Sequence, residues 1–162
     1  VTLKDELDYV QKYLYCMKVR YQSSLNYSID VDKRLLSQPV PKLIIQPIVE
    51  NAIRYGSDCA PPWNISVTSV VTHGSWQIEV SDTGPGFTEE AKERITANIM
   101  KAIQNPGLPE LKINGLGTVN VYLRWKIFCK GDIIFRYGNN ADGHGVVSIG
   151  RYFQNKEDTE TV

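Results

Sequence analysis

The sequence predicts an α+β fold, a two-layer sandwich in which helices cover one face of a mostly antiparallel, mixed sheet. Three observations predict it. Helical spacing of apolar residues marks three segments, and a capped acidic start marks a fourth. Five shorter segments read as strands, with alternation where one face is buried. A short polar turn joins the second and third strands as a hairpin, which sets antiparallel pairing there.

The elements follow in chain order. Leu3, Leu7, Val10, Leu14, Met17 and Tyr21 form one apolar stripe on a helix. That stripe is expected to pack on its own domain, the alternative being a short coiled-coil seam. Leu25, Tyr27, Ile29 and Val31 alternate with polar residues, as in a half-buried strand. A second helical run spans 43–55, apolar at Leu43, Ile44, Ile48, Val49, Ala52 and Ile53. Pro47 lies inside it, so the helix either kinks there or starts afresh with Pro47 in its first turn.

Strands are expected at 64–71 and 76–81, joined by Thr72-His73-Gly74-Ser75. Thr88 can cap a helix that opens with Glu89 and Glu90 and ends before Asn105-Pro106-Gly107. Val119, Tyr122, Leu123 and Ile127 are expected on one buried face of the last helix. Strands at 132–137 and 146–152 close the chain before a polar tail.

Composition excludes several classes. The chain has 162 residues, one domain's length, and its 18 basic side chains balance 18 acidic ones. No basic field of the kind nucleic acid needs is present. No apolar run approaches the ~20 residues of a membrane span. The acidic, amphipathic start is not a signal peptide, and without an initiator Met the chain is expected to be part of a longer one. Cys16, Cys59 and Cys129 show no metal-ligand spacing and are expected to be part-buried small hydrophobes in a reducing compartment.

Three polar constellations remain. Glu50, Asn51 and Arg54 lie opposite the apolar face of the second helix. An amide oxygen and a carboxylate one turn from a cation can hold hydrated Mg²⁺ and steer a phosphate; a solvated face is the alternative. Asp82-Thr83-Gly84-Pro85-Gly86 follows a strand. Its glycines let a ligand approach the backbone, and Asp82 can accept from an amino group such as adenine's; a plain tight turn is the alternative. Gly115-Leu116-Gly117-Thr118 opens a helix, where exposed N–H groups suit phosphate, or it is a simple loop.

In this order, these residues resemble the GHKL group of ATPases and kinases, and within it the sensor histidine kinases of the LytS/YesM type. The run Ile45-Gln46-Pro47-Ile48-Val49-Glu50-Asn51-Ala52-Ile53-Arg54-Tyr55-Gly56 resembles the N box. Asp82 to Phe87 resembles the first glycine box, and Gly115 to Arg124 the second. The opening from Leu3 to Tyr21 resembles the helix that precedes the N box in that group. Tyr55 stands where this type usually has His, and Thr118 where Leu is commoner.

The resemblance implies a Bergerat-type sandwich with a flexible ATP lid over about 88–112, ordered when nucleotide binds. It implies a joining helix at 1–22, a catalytic domain at 23–153 and a disordered tail at 154–162. ATP and Mg²⁺ are the implied ligands. Asn51 would ligate Mg²⁺, Glu50 would orient water or the incoming group, and Arg54 would approach the phosphates. Asp82 would read adenine, Gly84 and Gly86 would shape its pocket, and Tyr55 would also contact the nucleotide. Gly115 and Gly117 would let the lid fold over the triphosphate, and Thr118 would contact the nucleotide.

The implied activity is that of a protein-histidine kinase in a two-component phosphorelay. The γ-phosphate would pass to a histidine on an upstream segment, then to a response-regulator aspartate. His73 and His144 read as surface turn residues without acceptor surroundings, so this stretch alone is expected to show little transfer. The implied setting is the cytoplasmic part of a homodimeric, integral membrane sensor. The alternatives are an ATP hydrolase of the topoisomerase, heat-shock chaperone or MutL kind, and a degenerate module without nucleotide.

Overall fold

The computed structural model describes residues 1–104 and 117–153. Among the described residues, four α-helices and five strands make the two layers. In chain order they are α1 (Leu3–Tyr21), β1 (Leu25–Asp30), α2 (Gln46–Gly56), β2 (Trp63–Val71), β3 (Ser75–Ser81), α3 (Glu89–Gln104), α4 (Gly117–Cys129), β4 (Ile133–Asn139) and β5 (Gly145–Tyr152). Strand order across the sheet is β1-β2-β3-β5-β4. Only β1 and β2 run parallel, with Leu25 beside Trp63 and Asp30 beside Thr68. The other three pairings are antiparallel. The mixed, mostly antiparallel sheet expected from sequence is therefore the one observed. A parallel pair needs a crossover, and α2 lies in it.

Local chemistry explains the helix starts. Thr2 and Asp5 form a reciprocal capping box at the head of α1, the Thr2 N–H donating to Asp5 Oδ2 at 2.8 Å and the Asp5 N–H to Thr2 Oγ1 at 3.2 Å. The Thr2 N–H, and after it the Thr2 hydroxyl donating to the same Oδ2 at 2.8 Å, hold the Asp5 carboxyl below the usual carboxylate range. The next N–H groups of α1 donate to Gln38 and Leu36 carbonyls, so the helix head is tied to the chain just before α2. For α2 the second sequence option holds: the helix starts afresh, with Pro47 in its first turn. Thr88 Oγ1 accepts the Ala91 N–H at 3.1 Å and caps α3 as expected.

Leu3, Leu7, Val10 and Leu14 of α1 join Ile48, Val49, Ala52 and Ile53 of α2 in one core. Ile65, Val67, Trp76, Ile78 and Val80 supply the sheet side of it. The α1 stripe therefore packs on its own domain, as the first of the two readings had it. Its inner face also holds Glu6, fully buried, which the stripe does not reveal.

Three expectations need correction. The buried residues of α4 are Val119, Val121, Trp125 and Cys129, whereas Ile127 is 73% exposed. This helix is apolar on nearly every side, so spacing does not choose a face. Trp125 does, its indole N–H donating to the Gly150 carbonyl at 2.7 Å while its ring meets Trp76. Leu43 is not on a buried helix face but precedes α2, half exposed, at φ 57°. Within the expected lid, Glu89–Gln104 forms the helix that the sequence predicts there. The remainder of the expected lid, with Gly115, lies outside the described residues, as does the tail from 154. Finally, Cys16 and Cys59 are exposed free thiols, and only Cys129 is buried.

Candidate functional site

Several elements meet around one cavity of about 670 Å³. The outer face of α2 contributes Glu50, Asn51, Arg54 and Tyr55. The chain leaving β3 contributes Asp82 and Gly86, and the start of α4 contributes Gly117 and Thr118. Apolar side chains of Ala52, Val80, Val121 and Val147 lie beneath them. The sequence separates these groups by up to 68 positions, and the fold brings them to one hollow because α2 lies over β2, β3 and β5 with α4 beside it on the β4 side.

Asp82 is set by its neighbours. Its own N–H donates to the Gly145 carbonyl at 3.1 Å, and its Oδ1 accepts the Gly84 N–H at 2.8 Å. Burial pushes its carboxyl above the usual range, opposed by the Gly84 N–H and by nearby His144. The carboxylate is thus half-buried and oriented, which suits an acceptor for a neutral amino group.

On α2 the Gln46 amide donates to Glu50 Oε1 at 2.8 Å, one turn back along the helix. Glu50 is exposed at the rim, close enough to the Tyr13 phenol that its charge, after burial, helps to push that group up. Asn51 is half-buried, and a Cβ on Gly117 would stand 3.5 Å from its Nδ2. The amide of the second helix therefore sits against the glycine that opens the fourth.

Two glycines have sharper reasons than pocket shape. A Cβ on Gly84 would stand 2.6 Å from Gly56 Cα and 2.9 Å from the Tyr55 carbonyl. Gly84 is buried beneath Asp82, against the end of α2, and is not on the cavity wall. Gly86 adopts φ 77°, and a Cβ there would meet the Gly143 carbonyl at 2.3 Å.

Several wall residues were not singled out from sequence. Arg94 and Asn98 reach the cavity from α3, one turn apart, in phase with Ala91 and Ile95. That spacing was the available signal. His144 is half-buried rather than a free turn residue, and its Nδ1 lies 2.8 Å from the Gly84 carbonyl. The β4–β5 turn folds back on the Asp82–Gly86 segment, a long-range contact with no local trace. His73 is exposed at the β2–β3 tip, as expected.

Comparison with known proteins agrees with this geometry. Residues 38–151 match the family described as Histidine kinase-, DNA gyrase B-, and HSP90-like ATPase, and the chain belongs to that family. Among curated relatives, the sensor histidine kinase YpdA of Escherichia coli is 32% identical over 128 residues, covering 78% of this chain and 20% of that protein. The sensor histidine kinase YesM of Bacillus subtilis is 33% identical over 88 residues, 54% of this chain and 15% of YesM. An uncharacterized sensor-like histidine kinase of Staphylococcus epidermidis is 27% identical over 133 residues, 80% of this chain and 26% of the relative. The chain thus spans about a quarter or less of these relatives. The catalytic domain of histidine kinase ThkA superposes with a TM-score of 0.58 at 19% identity, covering 91% of this chain and 94% of that one. The cytoplasmic segment of histidine kinase QseC gives 0.55 at 14% identity, over 96% and 77%. These two likenesses show the fold. Among the described residues no helix is long and apolar enough to cross a membrane.

Proposed function

We propose that the cavity binds ATP with Mg²⁺ and that the chain is the catalytic domain of a sensor histidine kinase. The γ-phosphoryl group would pass to a histidine on another segment of the full-length protein, for relay to a response-regulator aspartate. One observation carries the proposal: Asp82 and Asn51, from different elements, line a single cavity whose volume lies within the ordinary range for ligand pockets.

The residues fit the ligands. Asp82, half-buried and oriented by Gly84, accepts from the exocyclic amino group of adenine. The apolar wall of Val80 and Val147 takes the base. The Asn51 oxygen, with the Glu50 carboxylate one residue away, supplies hard donors of the kind Mg²⁺ prefers. Among the described residues no three His, Cys, Asp or Glu side chains cluster as a metal cage. Mg²⁺ shared with phosphates needs only one or two protein oxygens. Bound Mg²⁺ would neutralise charge on the phosphate oxygens. Arg54 and Arg94, both exposed at the wall, would orient the same phosphates. Phosphoryl transfer draws mainly on such positioning and charge stabilisation.

The relatives, all sensor kinases, support transfer over hydrolysis. The test uses the full-length protein with γ-labelled ATP and Mg²⁺. Acid-labile, base-stable label on the protein is expected, and it is lost in Asp82→Asn. Release of inorganic phosphate with no labelled protein would favour the hydrolytic reading. No bound nucleotide at all would leave the degenerate module.

A further inference from the structure

The turn that leads into α2 is gripped from both sides. Glu6, on α1, is 0% exposed, and a carboxylate so far from water is costly unless hydrogen-bonded. Its bonds are all to one turn. Glu6 Oε2 accepts the Ile44 N–H at 2.8 Å and the Ile45 N–H at 3.2 Å, and Oε1 accepts the Leu43 N–H. From the other side Arg124, on α4, donates Nη1 to the Leu43 carbonyl at 3.0 Å and Nη2 to the Lys42 carbonyl. Amides are taken by the acid of one helix, and carbonyls by the guanidinium of another.

Packing anchors Ile44 and Ile45 of this turn, both buried in the core, but it does not account for Leu43. Leu43 is 41% exposed and sits at φ 57°, a region unfavourable for a branched side chain. Ile45, the residue before α2, offers no side-chain cap. The turn is held in a strained shape by Glu6 and Arg124. The turn leads into α2 and Arg124 lies on α4, and these two helices carry the candidate site. Asn51 is six residues beyond Ile45 on α2, about 9 Å along its axis. Gly117 is seven residues before Arg124 on α4, about 10 Å along that one.

We propose that Glu6 and Arg124 are positioning residues, which through the 42–45 turn fix Glu50 and Asn51 of α2 against Gly117 and Thr118 of α4. A displacement of α1 is thereby passed to both helices that hold the site. The coupling stands on the hydrogen bonds alone, and its consequence for ligand binding rests on the nucleotide reading of the cavity.

Two measurements on the 162-residue chain test it. The first is hydrogen exchange without ligand in wild type, Glu6→Gln, Arg124→Gln and the double variant. Losing these bonds is expected to speed exchange by about tenfold at amides 43–49. In Glu6→Gln the faster exchange should reach 121–125 of α4, and it should not do so when Arg124 is already Gln. Should Glu6→Gln not fold, the reverse direction reads the same link, since Arg124→Gln should speed exchange at 7–10 of α1.

The second measurement compares a non-hydrolysable ATP analogue with Mg²⁺ against adenosine. Analogue affinity should fall by about tenfold in each single variant, in the manner of outer-shell changes at metal sites, with adenosine changed less than about twofold. Arg124→Lys, which keeps the charge but not the two-pronged donor, should restore only part of the loss. Exchange changes confined to 43–49, or equal losses for both ligands, would show a merely stabilising role and overturn the proposal. A wild-type chain that binds neither ligand would overturn the nucleotide reading, while the exchange measurement would still decide the coupling.

Discussion

Replacing Gly84 with alanine puts a methyl group where the fold already has backbone. The added carbon would stand 2.6 Å from Gly56 Cα, and ordinary contact begins near 3.4 Å. The segment after β3 and the end of α2 must therefore part by about 0.8 Å, and backbone cannot rotate aside as a side chain can. Overpacking of this kind costs about 1–3 kcal/mol. For a chain of this size that lowers Tm by roughly 2–12 °C. The same shift moves Asp82, whose Oδ1 is held by the Gly84 N–H and lies 2.9 Å from the added carbon. Nucleotide affinity should therefore fall as well. The control is Gly74→Ala at the β2–β3 tip, where nothing lies within 4 Å of the added carbon. That change should leave Tm level or raised by a few degrees, since alanine restricts the unfolded chain. The assay is a calorimetric melt of all three proteins, with titration of an ATP analogue. If Gly84→Ala melts and binds like wild type, the close approach of the glycine segment to α2 is wrong.

Three further outcomes follow from the same geometry. Asp82→Asn should abolish nucleotide binding without lowering ligand-free stability at neutral pH. Burial raises the Asp82 carboxyl in the fold, so its contribution is fully present below the unfolded value and lost as pH rises through the folded one. Melts across pH should therefore show wild type and Asn variant converging in acid and separating, in the variant's favour, above the ordinary carboxylate range. Wild-type nucleotide affinity should begin to fall, on acidification, at a higher pH than an ordinary aspartate would give. Asn51→Asp should weaken the Mg²⁺-dependent part of binding and spare adenosine, as read by titration with and without the metal. Thr2→Ala should cost about 1 kcal/mol by opening the capping box of α1, a fall of roughly 2–4 °C in the ligand-free melt.

Much of the fold was legible because its signals are local. The apolar side of α2, the alternation of Trp76, Ile78 and Val80, and the glycines after Asp82 each lie within a dozen residues. What stayed hidden depends on distant partners. Glu6 interrupts an apolar stripe and looks like a solvated charge until the turn at 43–45 is folded onto it. The buried face of α4 is chosen by Trp125 reaching Gly150, 25 positions away, and not by spacing within the helix. Gly84 reads as a pocket former, yet its closest neighbours are on α2, nearly 30 positions earlier. His144 reads as a turn residue because its partner, the Gly84 carbonyl, is 60 positions away. Within the candidate site, residue types were legible, and their mutual placement needed the sheet order.

The most direct test of the central reading is a thermal melt with and without a non-hydrolysable ATP analogue and Mg²⁺. At a ligand concentration about 100-fold above Kd, binding adds ~2.7 kcal/mol of stability. For this chain that is a rise in Tm of roughly 5–11 °C, absent in Asp82→Asn. A wild-type melt unmoved by millimolar analogue would contradict the account.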